Sequence, residues 1–335
     1  MRLLITGAGR MGIRHAMGAL QSDAVESLTM MDIAPAALEN AQAQLSSLAR
    51  GKELRFILPG DLSGSYDAVI MSSTANDRLG ACREVLSLSP RHILIEKPLG
   101  QSLSEVTALA EALSSMKDLH VSVNLNMRMY PFVQTLKSDI NSLPQFDGLK
   151  YINFTGGTLG IGANGIHYLD FMYFLLDADD AEVVAASIDD SMIPSGRGPT
   201  FGDFGGWACI HFRKGGELVG KSLLLLSSTS TVFGGWEIIG SHGRIRLNEI
   251  EGERVDILRK ADSEMPLNRY AADYLPPVTT KIESPFLGDL TREWLNGIAA
   301  GKQLLPSLDQ SVRVHKLMFD WLSHSTTNFE KYPIT

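Results

Sequence analysis

A glycine turn directly after a short apolar strand constrains this chain more than any other feature. Residues 2–6 read as a strand and run into Gly7-Ala8-Gly9-Arg10-Met11-Gly12, a G-x-G-x-x-G that continues as a helical pattern. In such a turn the first glycine makes the bend, the second lets phosphates reach the backbone, and the third packs helix on strand, with the helix amides pointing at the phosphates. The motif alone is weak. Its context is stronger, because Asp32 stands twenty residues after Gly12, at the end of the next strand pattern, where a carboxylate accepts the hydroxyls of an adenosine ribose. That carboxylate repels a 2′-phosphate, and Ile33-Ala34-Pro35 supply no arginine to hold one, so NAD is favoured over NADP. The competing reading is a glycine-rich turn in an unrelated α/β protein, with Asp32 capping the next helix.

The 335 residues suggest two domains, and 44% hydrophobic with 20% charged residues is an ordinary globular composition. A net charge of -8 argues against nucleic acid as a partner, which calls for a clustered basic face. No apolar run approaches the roughly 20 residues that cross a bilayer. Only a few apolar residues separate Arg2 from the glycines, so no secretory leader is expected and the chain reads as cytoplasmic. Cys82 and Cys209 lie far apart without Cys-x-x-Cys spacing or a histidine cluster. Neither a metal site nor a disulfide is expected, and both cysteines read as buried packing residues.

Short apolar runs alternate with helical patterns in the first part, which implies strand-helix-strand units and a doubly wound parallel sheet of Rossmann type over residues 1–123. The expected strands are 2–6, 27–32, 68–72, 92–95 and 120–124, with helices over 35–48 and 104–115, the latter capped by Ser102 or Ser104. From residue 124 to 335 the pattern changes to an α+β domain with a large, mostly antiparallel sheet. Strands are expected at 151–155, 182–189, 206–212, 217–226, 237–240 and 244–248, and helices at 165–176, 290–299 and 308–322. Residues 191–206, dense in Gly, Pro and Ser, read as an exposed loop, as do residues 267–277. The glycine-rich 156–162 stretch is either a wall of a substrate pocket or a bent sheet connection.

After the fourth strand comes Ile95-Glu96-Lys97-Pro98-Leu99, and with it the chain resembles the Gfo/Idh/MocA family of sugar and polyol oxidoreductases. Thr74-Ala75-Asn76 is similar to that family's Thr-Pro-Asn loop near the cofactor, and Asn126-Met127-Arg128 with Pro131 to the start of its second domain. Gly165-Ile166-His167-Tyr168-Leu169-Asp170 is similar to its helix with the catalytic histidine, and Ile239–Ile245 and Leu305-Pro306-Ser307 match later landmarks. The resemblance implies a cofactor site of Gly7, Gly9, Arg10, Met11, Gly12, Asp32, Thr74, Asn76, Glu96, Lys97 and Asn126. It also implies a lysine, Lys97, at the reacting carbon's oxygen, and a homo-oligomer, dimer or tetramer, formed through an open sheet face. Two positions depart from the family: the acid often found four residues before the histidine is Ala163, and a frequent histidine after the Thr-Pro-Asn loop is Leu79.

Oxidising a secondary alcohol requires a base near neutrality to take the hydroxyl proton as hydride leaves the carbon. His167 suits that role, against the alternative of a satisfied core histidine. Asp170, at i+3, either fixes the His167 tautomer or caps a neighbouring backbone group. The Lys97 cation stabilises an alkoxide or polarises a ketone, and with a depressed pKa would share the proton transfer. Asn164 either bonds a substrate hydroxyl or caps the helix, and Arg128 contacts cofactor or substrate or pairs with a carboxylate. The expected activity is transfer of a hydride between NAD and a sugar, cyclitol or nucleotide sugar. The alternatives are reduction of an imine or unusual cyclic substrate, which tolerates Ala163, and a dinucleotide-sensing regulator without turnover.

Overall fold

The first apolar run, Leu3-Leu4-Ile5, is completely buried. A strand apolar on both sides needs cover above and below, the condition of a parallel sheet between helices. The computed structural model, which describes residues 1–157, 159–260, 273–327 and 329–335, meets that condition. Six parallel strands are β1 (Arg2–Thr6), β2 (Ser27–Met31), β3 (Glu53–Ile57), β4 (Ala68–Met71), β5 (His92–Ile95) and β6 (His120–Val123). They lie in the order β3-β2-β1-β4-β5-β6. Helices α1 (Arg10–Gln21), α2 (Pro35–Leu45), α3 (Arg78–Leu86) and α4 (Leu103–Ser114) alternate with them. The strand order reverses between β1 and β4, and ligands of such sheets bind outside the carboxyl ends of the strands at that point. Ser102 starts α4 by accepting from the Glu105 amide at 3.3 Å, while the Glu105 carboxylate accepts from the Gln101 amide at 2.7 Å. This reciprocal cap satisfies one helix-end donor and the Gln101 amide just before the helix.

The later chain adds α5 (Pro131–Ser142), β7 (Lys150–Gly157), α6 (Ile166–Leu176), β8 (Asp180–Pro194), β9 (Gly202–Lys214), β10 (Glu217–Ser227), β11 (Gly235–Ile239), β12 (Gly243–Asn248), β13 (Glu253–Leu258) and β14 (Val278–Lys281). These strands form an eight-stranded sheet in the order β14-β13-β12-β11-β7-β10-β9-β8, antiparallel except where β7 meets β10. Aromatic rings fasten α6 to one face: Tyr168 to Phe154 at 4.5 Å, Phe171 to Trp236 at 4.5 Å and Tyr173 to Phe212 at 5.3 Å between centroids. The other face exposes Tyr151, Trp207, Leu223 and Leu225.

The chain divides into two compact units, and the first takes back a late segment: Met1–Met129 is joined by Pro285–His315 and Thr335, while Tyr130–Ser284 and Lys316–Ile334 form the second. Helix α7 (Leu287–Ala299) lies along α1, and α8 (Leu308–Leu322) follows. The Ser22 hydroxyl donates to Asn296 at 2.6 Å, and Trp294 and Gln303 each donate to the Ser122 hydroxyl at 3.2 Å. The expectation of one boundary at 123/124 contains no signal for this return, because the contact rests on two small residues, Gly18 and Gly288, far apart in sequence.

All the expected strands and helices form, with ends moved by a few residues. Four further elements carried weak signals: β3, an edge strand with charged Glu53 and Arg55; α5, whose Pro131 occupies the first helical turn; and the mostly exposed β13 and β14. Residues 191–206 are not one loop. Strands β8 and β9 extend through them, pairing Met192 with Phe204 and Pro194 with Gly202, with a register shift between Ile188 and Met192. The small residues there belong to a bulged hairpin, whose loop is confined to residues 195–201. Of the 267–277 stretch, residues 267–272 lie outside the described residues. Cys82 is buried as expected, but Cys209 is partly exposed, since it stands between Trp207 and His211 on the uncovered sheet face. Among the described residues no helix is long and apolar enough to cross a membrane.

A side chain at Gly18 would place its Cβ 1.9 Å from the Gly288 carbonyl oxygen. Gly18→Ala should therefore push α1 from α7 and lower stability by about 1–3 kcal/mol, as overpacking does. Urea unfolding checks this, and an unchanged midpoint would contradict the close contact.

Candidate functional site

The glycine turn is built from three different constraints. Gly7 has φ +91°, and its amide donates to Met31 O at 2.8 Å. A Cβ on Gly12 would lie 1.8 Å from the Gly7 carbonyl oxygen, so α1 rests on the turn itself. Around Gly9 the opposite holds, with nothing within 4 Å of where its Cβ would be. Gly9 is the N-cap of α1 and no side chain caps that helix. The first amides of a helix have no intrahelical acceptor, and the helix dipole adds positive potential there. Open space beside uncapped amides is the cradle that a pyrophosphate fills. Arg10 at its rim is exposed and Met11 half-buried.

Asp32 closes the other side. Its Oδ2 accepts from the Ala8 amide at 2.6 Å and its Oδ1 from the Ala34 amide at 2.9 Å. The carboxylate is only half-buried, and α2 receives no side-chain cap from it or any other residue. Capping the next helix is therefore not what Asp32 does; it ties the turn to the end of β2 and keeps an exposed edge. The residues present fit a dinucleotide.

At the end of β5, Glu96 is 1% exposed. Its Oε1 meets His15 Nε2 at 2.9 Å and accepts from Asn124 Nδ2 at 2.7 Å. Burial pushes its pKa up, but the His15 bond and charge, the Lys97 charge and the Asn124 bond outweigh that and hold the carboxyl down to about 2. Lys97 follows, half-buried. Beyond it Arg78, from α3, donates to the Pro98 and Met71 carbonyls at 3.3 Å each, and His315 Nε2 accepts from the Leu99 amide at 2.8 Å. His315 Nδ1 donates to Ser311 O at 2.7 Å. Burial first, then the Arg78 and Lys97 charges, push this histidine down to about 4 against the Ser311 carbonyl, so it is neutral with a fixed tautomer. The backbone is thus clamped on both sides of Lys97.

The remaining first-unit residues lie on loops after β4 and β6. The Thr74 hydroxyl donates to Asn76 Oδ1 at 2.6 Å, and Asn76 is exposed. Asn126 opens a short 3₁₀ turn, Asn126–Met129, in which buried Arg128 donates to Gln310 Oε1 at 3.3 Å.

In the second unit the chain enters α6 through a π-type turn, Ile161–Gly165. The Asn164 and Gly165 amides both donate to Gly160 O, at 2.9 and 3.0 Å. Asn164 does not cap α6; Gly165 is the N-cap and no side chain bonds there. His167 is half-buried near the start of α6, and Asp170, one turn on, is wholly buried. No acid stands at Ala163, yet a carboxylate reaches this turn. Buried Asp203 of β9 accepts from the Ala163 amide at 2.6 Å and the Gly162 amide at 3.0 Å. Close by in sequence, Tyr168 packs edge-on against Trp236, whose Nε1 donates to Glu249 at 3.2 Å. Burial, then the Glu249 charge, push the Tyr168 phenol up and that of Tyr130 up to about 12, so both stay protonated donors.

Residues 1–125 match the Gfo/Idh/MocA family, described as an oxidoreductase family with an NAD-binding Rossmann fold. The match covers 125 of the 335 residues. The rhizopine catabolism protein MocA of Rhizobium meliloti is 28% identical over 143 residues, 42% of each chain, so the match spans less than half of that relative. Among solved structures, a UDP-N-acetylglucosamine 3-dehydrogenase from Acidithiobacillus ferrooxidans aligns with TM-score 0.70 at 16% identity over 97% of both chains. A scyllo-inositol dehydrogenase from Lactobacillus casei with bound NAD(H) and scyllo-inositol aligns with TM-score 0.67 at 15% identity, over 97% of this chain and 96% of the other. These likenesses show the fold alone, shared over 97% of the chain.

Sequence reasoning proposed the glycine turn, Asp32, Lys97 and His167 but not the buried residues packed around them. His15, Arg78, Asn124, Thr291, His315 and Asp203 escaped it. For His15 a signal existed: it lies three residues after Gly12, on the face of α1 that carries Ile13, Ala16 and Ala19 inward. A histidine on such a face needs a partner.

The neutral burial of His315 fixes an acid sensitivity. Its folded pKa, about 4, lies below the ordinary 6.5, so between those values the unfolded chain binds the proton first. The stability it contributes is complete above pH 6.5 and is lost as pH falls toward about 4, on the order of 3 kcal/mol in all. His315→Asn should flatten urea midpoints across that window, and a slope identical to wild type would contradict the neutral assignment.

Proposed function

We propose that this chain is an NAD-dependent oxidoreductase that moves a hydride between the coenzyme and a CH–OH carbon of a sugar, cyclitol or nucleotide sugar. The observation that carries the reading is the clamp on Lys97. A lysine whose flanking backbone is fixed by a buried carboxylate, a buried guanidinium and a neutral imidazole is held in place, as electrostatic stabilisation of a reacting oxygen requires. When bound, the nicotinamide supplies the hydride acceptor or donor. Gly7, Gly9, Gly12 and the first amides of α1 would hold its pyrophosphate, and Asp32 its adenosine ribose, with NAD favoured over NADP by the carboxylate's charge.

In the oxidising direction His167 takes the hydroxyl proton and the Lys97 ammonium holds the oxygen as negative charge grows on it. In the reducing direction the imidazolium returns the proton. Asn164 orients a further substrate hydroxyl, Asp170 braces the helix that carries His167, and Thr74, Asn76, Asn126 and Arg128 line the coenzyme and substrate. The partner is a small polar molecule. A second copy of this chain covers the open sheet face, where Tyr151, Trp207, Leu223 and Leu225 would otherwise stay in water.

Two measurements test this reading. Calorimetry should show binding of NAD tighter than NADP, and absorbance of the reduced coenzyme should report turnover with some member of a sugar and cyclitol panel. Lys97→Met and His167→Asn should each lower kcat/KM by roughly 10²–10⁴-fold, while NAD still binds His167→Asn. Failure to bind either coenzyme, or full turnover in both variants, would sink the assignment. For assembly, sedimentation should find a dimer or larger species that Leu225→Glu dissociates, and a monomeric wild type rules the pairing out.

A further inference from the structure

His15, on the helix that starts at the glycine turn, is wholly buried, and none of the chemistry above uses it. Both its ring nitrogens are engaged: Nδ1 lies 2.8 Å from the Thr291 hydroxyl oxygen and Nε2 2.9 Å from Glu96 Oε1. With Glu96 held as an ionised carboxylate, the count of protons decides what the ring is. The Thr291 hydroxyl has one hydrogen, and its oxygen lies 2.8 Å from the Leu287 carbonyl oxygen. Two oxygens at hydrogen-bond distance repel unless a hydrogen lies between them. The hydroxyl therefore donates to Leu287 and accepts from Nδ1. An ionised carboxylate only accepts, so Nε2 donates to Glu96. A ring that donates from both nitrogens is an imidazolium.

Glu96 immediately precedes Lys97. A buried carboxylate without a counter-charge is strongly destabilised, and the neighbouring ammonium would be drawn into that role. We propose that His15 is a buried imidazolium that balances Glu96, and so acts as a positioning residue that leaves the Lys97 cation to the substrate. The helix whose amides face the phosphates thereby also sets the charge beside the reacting oxygen. The other groups facing this loop within the first unit fit the scheme. Arg78 of α3 donates to backbone carbonyls, His315 of α8 is a neutral acceptor, and β6 and α7 contribute uncharged Asn124 and Thr291. The inference rests on the proposed role of Lys97, but its test separates the two.

Ring-nitrogen NMR of the wild-type protein without coenzyme or substrate reads His15 alone, its signals assigned by their loss in His15→Gln. Two protonated nitrogens near neutral pH are expected; one protonated and one bare nitrogen would overturn the proposal. The second arm is the pH dependence of kcat/KM. In His15→Gln the amide still donates to Glu96 but brings no charge, so Lys97 must balance the carboxylate. The limb reporting Lys97 should then move to higher pH by roughly 0.5–1 unit. Glu96→Gln removes the carboxylate and should move that limb to lower pH. Opposite shifts support the positioning role, whereas equal losses at every pH with an unmoved limb make His15 merely structural and overturn it. If the variants do not fold, the wild-type ring nitrogens decide. Absence of coenzyme binding by wild type removes the positioning role together with the functional reading, while the NMR result still fixes the charge of His15.

Discussion

Helix α1 can begin where it does only because Gly12 has no side chain to meet the Gly7 carbonyl. That one approach sets three others. It leaves the first amides of α1 uncapped beside the open space at Gly9, it carries His15 to Glu96, and it brings Gly18 against Gly288 of α7. A helix displaced by even one ångström would lose all of them together, since a packed interior does not deform continuously. The phosphate cradle, the charge beside Lys97 and the packing of the returning segment Pro285–His315 all draw on this one helix.

The interior behind Lys97 is unusually polar. Glu96, His15, Arg78 and His315 are all buried, and an apolar replacement of similar volume often serves stability as well or better than a buried ion pair. What such groups provide is direction. Each bonds to backbone or to another member of the set, so the chain on either side of Lys97 has little freedom. Two protonation states are fixed in opposite ways: the His15 bond and charge keep Glu96 ionised against its burial, and burial keeps the imidazole of His315 neutral at physiological pH. An electrostatic site benefits from neighbours that do not titrate while it works.

The sequence revealed the fold well because its strands are short apolar runs with sharp ends, and a period of two or of 3.6 is a local property. It singled out Asp32 by its distance from a recognisable turn, and Lys97 by a motif at a strand end that resembles a known family's. It could not reveal the partners of those residues. His15 and Thr291, or Leu99 and His315, are brought together by the return of α7 and α8, and no spacing in the chain encodes that distance. The 191–206 stretch misled for a related reason: glycine and serine density marks backbone freedom, and a bulged hairpin uses that freedom as readily as a loop does.

Ala163 shows how far a motif can carry a negative argument. Read in sequence, the missing acid suggests a protein that has kept its cofactor fold and lost its chemistry. In the folded second unit a carboxylate stands within 2.6 Å of the Ala163 amide, supplied by Asp203 from β9. It meets the amides at the start of the turn leading into α6, where the helix dipole favours negative charge. Its two oxygens are taken up by the Gly162, Ala163 and Phe204 amides, so Asp203 holds the turn in place. A motif records which residue of a segment carries a function, whereas the chemistry requires only that some residue of the fold place the group there. Asp203 thus fixes the backbone at Ala163 from another strand, and no spacing within the motif signals it.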